Sequence, residues 1–187
     1  MNSDEKSRVI VGPTILLSNG EYFDFLNPGA STWGMVEIAR AISKVCRFAG
    51  HCRGFYSVAE HSLLVSRLVP SEHRRAALLH DAHEAFTGDI TYPLKRLLGE
   101  AVREIEDRID AELFPRFGVE LPLHSSIKQA DRWMLHIEQR ALMLNRDEWS
   151  ATEAPPWWAI EVAEIRCLKP EDAGTEWMAA LVATEAA

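Results

Sequence analysis

The chain has 187 residues, of which 47% are hydrophobic and 26% charged, a composition typical of one soluble globular domain. Its 28 acidic and 20 basic residues give a formal net charge of -8, which argues against binding to duplex DNA or RNA, because phosphate neutralisation needs a basic surface. The three cysteines form no CxxC pair, and the sequence has neither a signal-like N-terminus nor a long apolar run, so we expect a reduced, cytoplasmic protein without a membrane span.

The first predicted element is a β-hairpin at about residues 14–26. Two apolar-rich runs flank Asn19-Gly20, a pair that favours a two-residue type I′ turn. Helical periodicity follows, beginning with a helix from Trp33 to about Phe48. The sequence thus predicts a small hairpin in front of a helical chain.

Two later helices are marked by capping residues. Ser57 and Glu60 have the S-x-x-E spacing of a capping box, which predicts a helix starting at Ser57. Ser126 and Gln129 have the same spacing and predict a helix running to about residue 144.

The remaining helical patterns complete a mostly α fold. They cover 72–86, a short segment beginning near Pro93, 99–118, and a last stretch from about Pro170. We therefore predict one domain over residues 1–187, with a helical core at about 33–145 and a C-terminal extension at about 146–187.

The stretch LLHDAHEAFTGDI, residues 78–90, concentrates histidines and carboxylates among apolar residues. On one continuous helix, the three- and four-residue spacings bring His80, Asp81 and Glu84 onto roughly the same face. A solvated polar stripe would explain an isolated HxxxE motif. The apolar neighbours, however, put this cluster at the border of buried surface, where charged groups need partners.

Candidate partners occur on two other predicted helices. His61 and Asp131 are each polar within an apolar segment, and each alone is usually a capping or packing residue. With His80 and Asp81 they form the pattern H…HD…D, a mixed nitrogen and oxygen set that suits Mn²⁺, Co²⁺, Zn²⁺ or Fe²⁺. Helical neighbours point about 100° apart, so His80 and Asp81 can hold two adjacent positions of one ion.

The pattern H…HD…D resembles the HD-domain phosphohydrolase superfamily. The segments VAEHSLLVS, LLHDAHEAFTGDITYPLK and IKQAD, in that order, closely resemble bacterial 5′-deoxynucleotidases and related phage deoxynucleotide triphosphohydrolases, over about residues 47–145. The resemblance implies an HD-domain helical bundle, one divalent transition metal ion (or Mg²⁺ with a triphosphate substrate), and removal of phosphate from small deoxynucleotides. It also implies a homo-oligomer, dimeric or larger.

The resemblance also implies roles for individual residues. The metal ligands are matched by His61, His80, Asp81 and Asp131. Glu84 matches the catalytic carboxylate; one helical turn from His80, it can take or relay a proton near a water that the metal activates.

Four more positions match substrate contacts of the family. Asp89 matches the acidic residue at the sugar end of the pocket, and Lys95 matches the basic residue of a P-x-K motif. Arg47 and Phe48 match an arginine–aromatic pair that reaches phosphate and base or sugar, although the aromatic residue is usually Trp. Plain surface charge is the alternative for Arg47 and Lys95, and a place in the core is the alternative for Phe48.

Other functions remain alternatives to a 5′-deoxynucleotidase. A deoxynucleotide triphosphohydrolase would use the same site and release triphosphate. Alarmone hydrolases carry a Glu-Asp pair after the HD pair, and cyclic-dinucleotide phosphodiesterases carry HDxGK; this chain has neither. A non-catalytic nucleotide sensor is the third class, but all four ligand positions and Glu84 are filled, which favours an enzyme.

The other histidines are assigned no ligand position. His83 lies off the face set by His80 and Glu84, so we expect it in solvent or behind the ligands. His51 lies near Arg47, where a substrate contact stays open, and the surface is expected to hold His73, His124 and His136.

Overall fold

The computed structural model describes residues 12–145 and 154–185, and it is mostly helical with a small hairpin near the N-terminus. The helices are α1 (Met35–Ile42), α2 (Val58–Arg67), α3 (Arg74–Leu79), α4 (Glu84–Thr87), α5 (Tyr92–Leu98), α6 (Glu100–Arg116), α7 (Ser125–Leu142), α8 (Trp157–Val162) and α9 (Pro170–Ala183). The predicted fold class is confirmed. Within the described ranges, no helix is both long and apolar enough to cross a membrane. The ends of the predicted domain and the start of its C-terminal extension, residues 146–153, lie outside these ranges.

The hairpin has a longer loop than predicted. Its antiparallel strands are β1 (Thr14–Leu16) and β2 (Tyr22–Asp24). The Leu17 N–H donates to the Glu21 carbonyl at 2.8 Å, and the Gly20 N–H donates to the Leu17 carbonyl at 3.0 Å. The loop between Leu17 and Glu21 therefore has three residues, the last of which, Gly20, is left-handed with φ 87°. The predicted two-residue type I′ turn is wrong.

The first predicted helix was too long at its C-terminal end. Helix α1 ends at Ile42 because the chain after it pairs with the segment before α2. The Arg47 N–H donates to the Tyr56 carbonyl at 2.9 Å, and the Val58 N–H donates to the Val45 carbonyl at 3.1 Å. These bonds hold Arg47 beside the start of α2.

Helix α2 begins where its capping residue predicts. The Ser57 hydroxyl accepts a hydrogen bond from the Glu60 N–H at 3.2 Å. The buried Glu60 carboxylate instead accepts hydrogen bonds from three backbone N–H groups near the C-terminus, those of Arg166, Cys167 and Leu168. Glu60 therefore fastens the segment before α9 against α2.

The predicted helix over 72–86 is interrupted at the HD pair. Helix α3 ends at Leu79, and α4 begins at Glu84. Between them the Ala82 N–H donates to the Leu79 carbonyl at 2.9 Å and the Glu84 N–H donates to the Asp81 carbonyl at 3.1 Å. Such i→i+3 bonds tighten the backbone, so the side chains are not spaced as on one continuous α-helix.

The later helices follow the sequence prediction except at one cap and at one additional helix. Helices α5, α6 and α9 correspond to the predicted segments. The Ser126 capping box is wrong, because His124 caps α7 and its Nδ1 accepts a hydrogen bond from the Ser126 N–H at 3.2 Å. Helix α8, within the predicted C-terminal extension, was not predicted as a helix.

Helix α2 lies between two apolar clusters and carries His61 into the interior. Its residues Val58–Ser66 are all buried. The first cluster contains Phe23, Phe86 and Trp177, and the second contains Tyr56 and Met134. A polar side chain on this helix is therefore shielded from water unless it faces a cleft.

Candidate metal centre

Three parts of the fold meet around the inner end of His61. Its Nε2 lies 3.2 Å from Asp131 Oδ1 on α7 and 3.6 Å from Asp81 Oδ2 in the turn after α3. Ligand atoms of His61, His80 and Asp131 all lie within 4.8 Å of one another, so this group could hold a metal ion. Asp81 borders the group, with Oδ2 3.3 Å from His80 Nε2.

The hydrogen bonds of the two histidines fit metal ligation. His80 Nδ1 donates to the Ala77 carbonyl at 2.8 Å, and His61 Nδ1 donates to Glu138 Oε1 at 2.6 Å. Both Nε2 atoms are buried and make no hydrogen bond. Outer partners of this kind set the tautomer of a ligating histidine and leave the second nitrogen for the metal. The donor set of imidazole and carboxylate suits a borderline divalent ion.

The electrostatics of the group favour a bound cation. Burial and Arg47 act to lower the pKa of His61, but the carboxylates of Glu138 and Asp131 outweigh them and raise it to about 9. Burial raises the pKa of Asp81, yet His80, His61 and Arg47 outweigh it and hold that pKa well below its usual range. Because metal ions bind the neutral form of imidazole, a cation at this place would compete with a proton for His61.

Glu138 and Tyr56 belong to the centre and were missed by sequence reasoning. Glu138 is fully buried on α7, and its Oε1 accepts hydrogen bonds from His61 Nδ1 and from the Tyr56 hydroxyl at 2.8 Å. Burial raises the pKa of Glu138, but Arg47 and His61 outweigh it and lower the pKa to about 2. The spacing could have indicated Glu138, because it lies seven residues, or about two turns, after Asp131. Both carboxylates are therefore on one face of α7.

Arg47 borders the centre and contacts two of its carboxylates. Its Nη2 donates to Glu138 Oε2 at 3.2 Å, and its Nη1 donates to Asp81 Oδ2 at 3.4 Å. Its guanidinium carbon lies 5.4 Å from the centre of the Phe48 ring. The alternative of plain surface charge is therefore wrong for Arg47, which is buried.

Phe48 and Asp89 are joined by a backbone hydrogen bond. The Phe48 N–H donates to Asp89 Oδ2 at 3.1 Å, in a turn where Phe48 has φ 57° and Ala49 has φ 51°. The Phe48 side chain packs against the cluster that contains Tyr56. The structure thus brings the predicted substrate residues Arg47, Phe48 and Asp89 together.

Glu84 and Lys95 form a second polar pair. Glu84 is buried on α4; its Oε1 lies 3.8 Å from Lys95 Nζ, and its Oε2 makes no hydrogen bond. Burial, Asp81 and Asp89 raise the pKa of Glu84 well above its usual range. Lys95 is not plain surface charge, because its Nζ also pairs with Glu106 Oε1 at 2.9 Å.

Of the two placements expected for His83, solvent is wrong, because the side chain is buried. Its Nδ1 lies 3.1 Å from Asp110 Oδ1, and its Nε2 lies 3.7 Å from Glu106 Oε1. Sequence reasoning missed both carboxylates, although their four-residue spacing on α6 puts them on one face. His83 and Lys95 therefore both contact Glu106, and Lys95 also contacts Glu84.

The remaining histidines and the cysteines lie outside this group. His51 and His124 are exposed, and the ring of half-buried His73 stacks on His124 with centres 4.1 Å apart. His136, half-buried on α7, neighbours Arg140. The free thiols belong to Cys46, Cys52 and Cys167.

The fold and this group of side chains define a mostly helical protein with a histidine–carboxylate centre. Sequence comparison shows the family to which the chain belongs. The chain is 43% identical to the uncharacterized protein YfdR of Escherichia coli (strain K12) over 135 residues, which cover 72% of this chain and 74% of YfdR. It therefore belongs to the same family as YfdR. An uncharacterized protein of Rhodobacter capsulatus is 38% identical over 121 residues, covering 60% of this chain and 62% of that protein. No protein-family model matches the chain.

Proposed function

We propose that this protein is a metal-dependent phosphohydrolase of the HD-domain type, acting as a 5′-deoxynucleotidase on deoxynucleoside monophosphates. The observation that carries the proposal is the pair of buried Nε2 atoms on His61 and His80. Neither meets the geometry of a hydrogen bond, and their polar neighbours are carboxylate oxygens of Asp81 and Asp131 at 3.2 to 3.6 Å. A cation shared between the two nitrogens and these oxygens would satisfy all of them at once.

A divalent ion at this place would be held by His61, His80 and Asp131, with Asp81 next to them. It would supply Lewis-acid polarisation of a phosphoryl group and would acidify a water molecule. The protein's own contribution is to orient both imidazoles through Glu138 and the Ala77 carbonyl. These contacts keep the donor atoms in place before an ion binds.

The environment of Glu84 supports a role for this residue in proton transfer. Its buried Oε2 has no hydrogen-bond partner, and its pKa is raised by burial and by Asp81 and Asp89. A carboxyl group with a raised pKa is better able to donate a proton to the leaving 5′-oxygen of the sugar. The ammonium of Lys95, 3.8 Å away, would then stabilise the ionised carboxylate.

The charge around the centre favours a monophosphate. Within the described residues, the cationic side chains Arg47 and Lys95 border the centre, and each is already paired with two carboxylates. A triphosphate carries more negative charge and needs more cations along the cleft. A dNTP triphosphohydrolase is therefore the second candidate.

The proposed enzyme works in the cytoplasm as a dimer or larger homo-oligomer. Exposed apolar side chains on α5 support an assembly, because Tyr92 is 73% exposed and Leu97 is 85% exposed. Exposed large apolar side chains grouped on one element can mark an interaction site. Light scattering of the purified protein tests this part, and a monomer at all concentrations would contradict it.

Product analysis tests the proposed activity. The purified protein is incubated with Mn²⁺ or Co²⁺ and a panel of dNMPs, dNTPs and ribonucleotides, and the products are separated by chromatography. We expect deoxynucleoside and orthophosphate from dNMPs, and no turnover after chelation. Deoxynucleoside and triphosphate from dNTPs would favour the second candidate. No turnover with metal bound would reject both.

A further inference from the structure

The two oxygens of Glu138 contact different functional groups. Oε1 accepts hydrogen bonds from His61 Nδ1 at 2.6 Å and from the Tyr56 hydroxyl at 2.8 Å. Oε2 accepts a hydrogen bond from Arg47 Nη2 at 3.2 Å. His61 belongs to the candidate metal centre, whereas Arg47 is the cation beside it. One buried carboxylate therefore links the two.

We propose that Glu138 is a positioning residue that orients the His61 imidazole for the metal ion and, at the same time, the Arg47 guanidinium for a phosphate. The inference rests on the proposed function and assigns a second task to the interior of α7. Charge-assisted hydrogen bonds to a buried carboxylate are strong and directional, so they can fix the orientation of both side chains.

The geometry of Arg47 is consistent with a group held ready for an anion. Its Nη1 and Nη2 contact Asp81 and Glu138, while its buried Nε makes no hydrogen bond. A buried guanidinium with a free N–H can donate to one more acceptor, such as a phosphate oxygen. Glu138 keeps that guanidinium at Asp81, next to the metal ligands, instead of letting it turn away.

Replacing Glu138 by Gln separates the two tasks. The two donors that converge on Oε1 would retain the amide oxygen of Gln as their acceptor. The amide N–H₂ group would then face Arg47, and two donors cannot bond each other. Glu138→Gln therefore keeps the contact with His61 and loses the contact with Arg47, whereas Glu138→Ala loses both.

Glu60 provides a matched control for a purely structural role. It is also a buried carboxylate that accepts three hydrogen bonds, but its donors are backbone N–H groups of residues 166–168. Glu60→Gln should lower thermal stability as Glu138→Gln does. It should leave the centre unchanged, since its partners lie in the segment before α9.

The experiment measures binding instead of turnover. Calorimetry gives the affinity of each full-length variant for Mn²⁺, and then the affinity of the Mn²⁺-loaded protein for orthophosphate. We expect Glu138→Ala to weaken Mn²⁺ binding about 10- to 100-fold, the range for lost outer partners of metal ligands. Glu138→Gln should restore Mn²⁺ affinity to within roughly fivefold of wild type and still weaken orthophosphate binding about tenfold.

Two results would overturn the inference: wild-type Mn²⁺ and orthophosphate affinities in Glu138→Ala, or equal losses in Glu60→Gln and Glu138→Gln. Failure of the proposed function gives a different result. A wild-type protein that binds Mn²⁺ and orthophosphate but turns over no deoxynucleotide would reject the phosphohydrolase, while the pattern among the variants would still establish the positioning role.

Discussion

The two ends of the polar site are built differently. At the histidine end, His61 and Glu138 are fully buried on α2 and α7, and each is held by hydrogen bonds to partners within the core. At the other end, Glu84 lies on a four-residue helix and Lys95 on α5, a helix without buried residues. The packed core thus positions the metal end, whereas ion pairs position the other. We expect substitutions at the metal end to weaken metal binding, and substitutions at the other end to change the rate of hydrolysis or the affinity for substrate.

The largest effect is expected from Asp81→Ala. Removal of this carboxylate takes away negative charge beside both imidazoles and should weaken Mn²⁺ binding by more than about 100-fold, beyond the range for outer partners. Calorimetry measures the affinity, and activity should fall to the level of chelated wild type. Asp107→Ala removes an exposed aspartate of α6 as the control. Unchanged Mn²⁺ affinity in Asp81→Ala would contradict the placement of Asp81 at the centre.

The next effect is expected from Glu84→Gln, which separates proton transfer from metal binding. The amide cannot donate or take the proton, so kcat should fall roughly 10²- to 10⁴-fold while Mn²⁺ affinity stays at the wild-type value. Steady-state kinetics and calorimetry on the same preparation check both. A wild-type kcat would exclude Glu84 from the reaction.

A smaller effect is expected from Lys95→Ala at the same end. Loss of the ammonium removes one positive charge that a phosphate would meet and the cation beside Glu84, so kcat/KM for a deoxynucleoside monophosphate should fall about tenfold. Mn²⁺ affinity should not change. Lys128→Ala, at an exposed position on α7, is the control. An equal fall in kcat/KM for both variants would show that Lys95 has no local role.

The smallest effect on the centre is expected from Phe23→Leu in the hairpin. The Phe23 ring stacks on Phe86 of α4, with centres 3.8 Å apart and planes 9° apart. The substitution should lower the free energy of unfolding by about 1–2 kcal/mol. Denaturant unfolding measures it, with exposed Leu16→Ala as the control. A loss of Mn²⁺ affinity in folded Phe23→Leu would contradict the separation of the two ends.

The sequence predicted those residues of the centre that their type and their order in the chain identify. His61, His80 and Asp131 stand out as polar residues in apolar helices, and the structure brings them together. Glu138 was missed because a lone glutamate near a helix end is usually exposed. Only the packing of α7 against α2 shows that it is buried. For His83 the sequence left solvent and a place behind the ligands open, since its partner Asp110 lies 27 residues further along the chain on another helix.

Local chemistry also explains which elements were predicted well. Ser57 caps α2 because its hydroxyl competes for a nearby N–H, an interaction confined to a few residues. The end of α1 and the break after Leu79 depend on longer-range contacts. Residues 45–47 pair with residues 56–58, and Asp81, in the turn after Leu79, lies 3.6 Å from His61 of α2.

The sequence by itself determined the mostly helical fold, the hairpin near the N-terminus and the set of histidines and carboxylates, because periodicity, capping and residue chemistry are local properties. The tertiary structure alone decided which carboxylates are buried, which imidazole nitrogens have no partner, and that Glu138 joins His61 to Arg47. Burial and hydrogen bonding between distant segments change the energy of a charge more than its neighbours in sequence do, and they exist only when the helices pack.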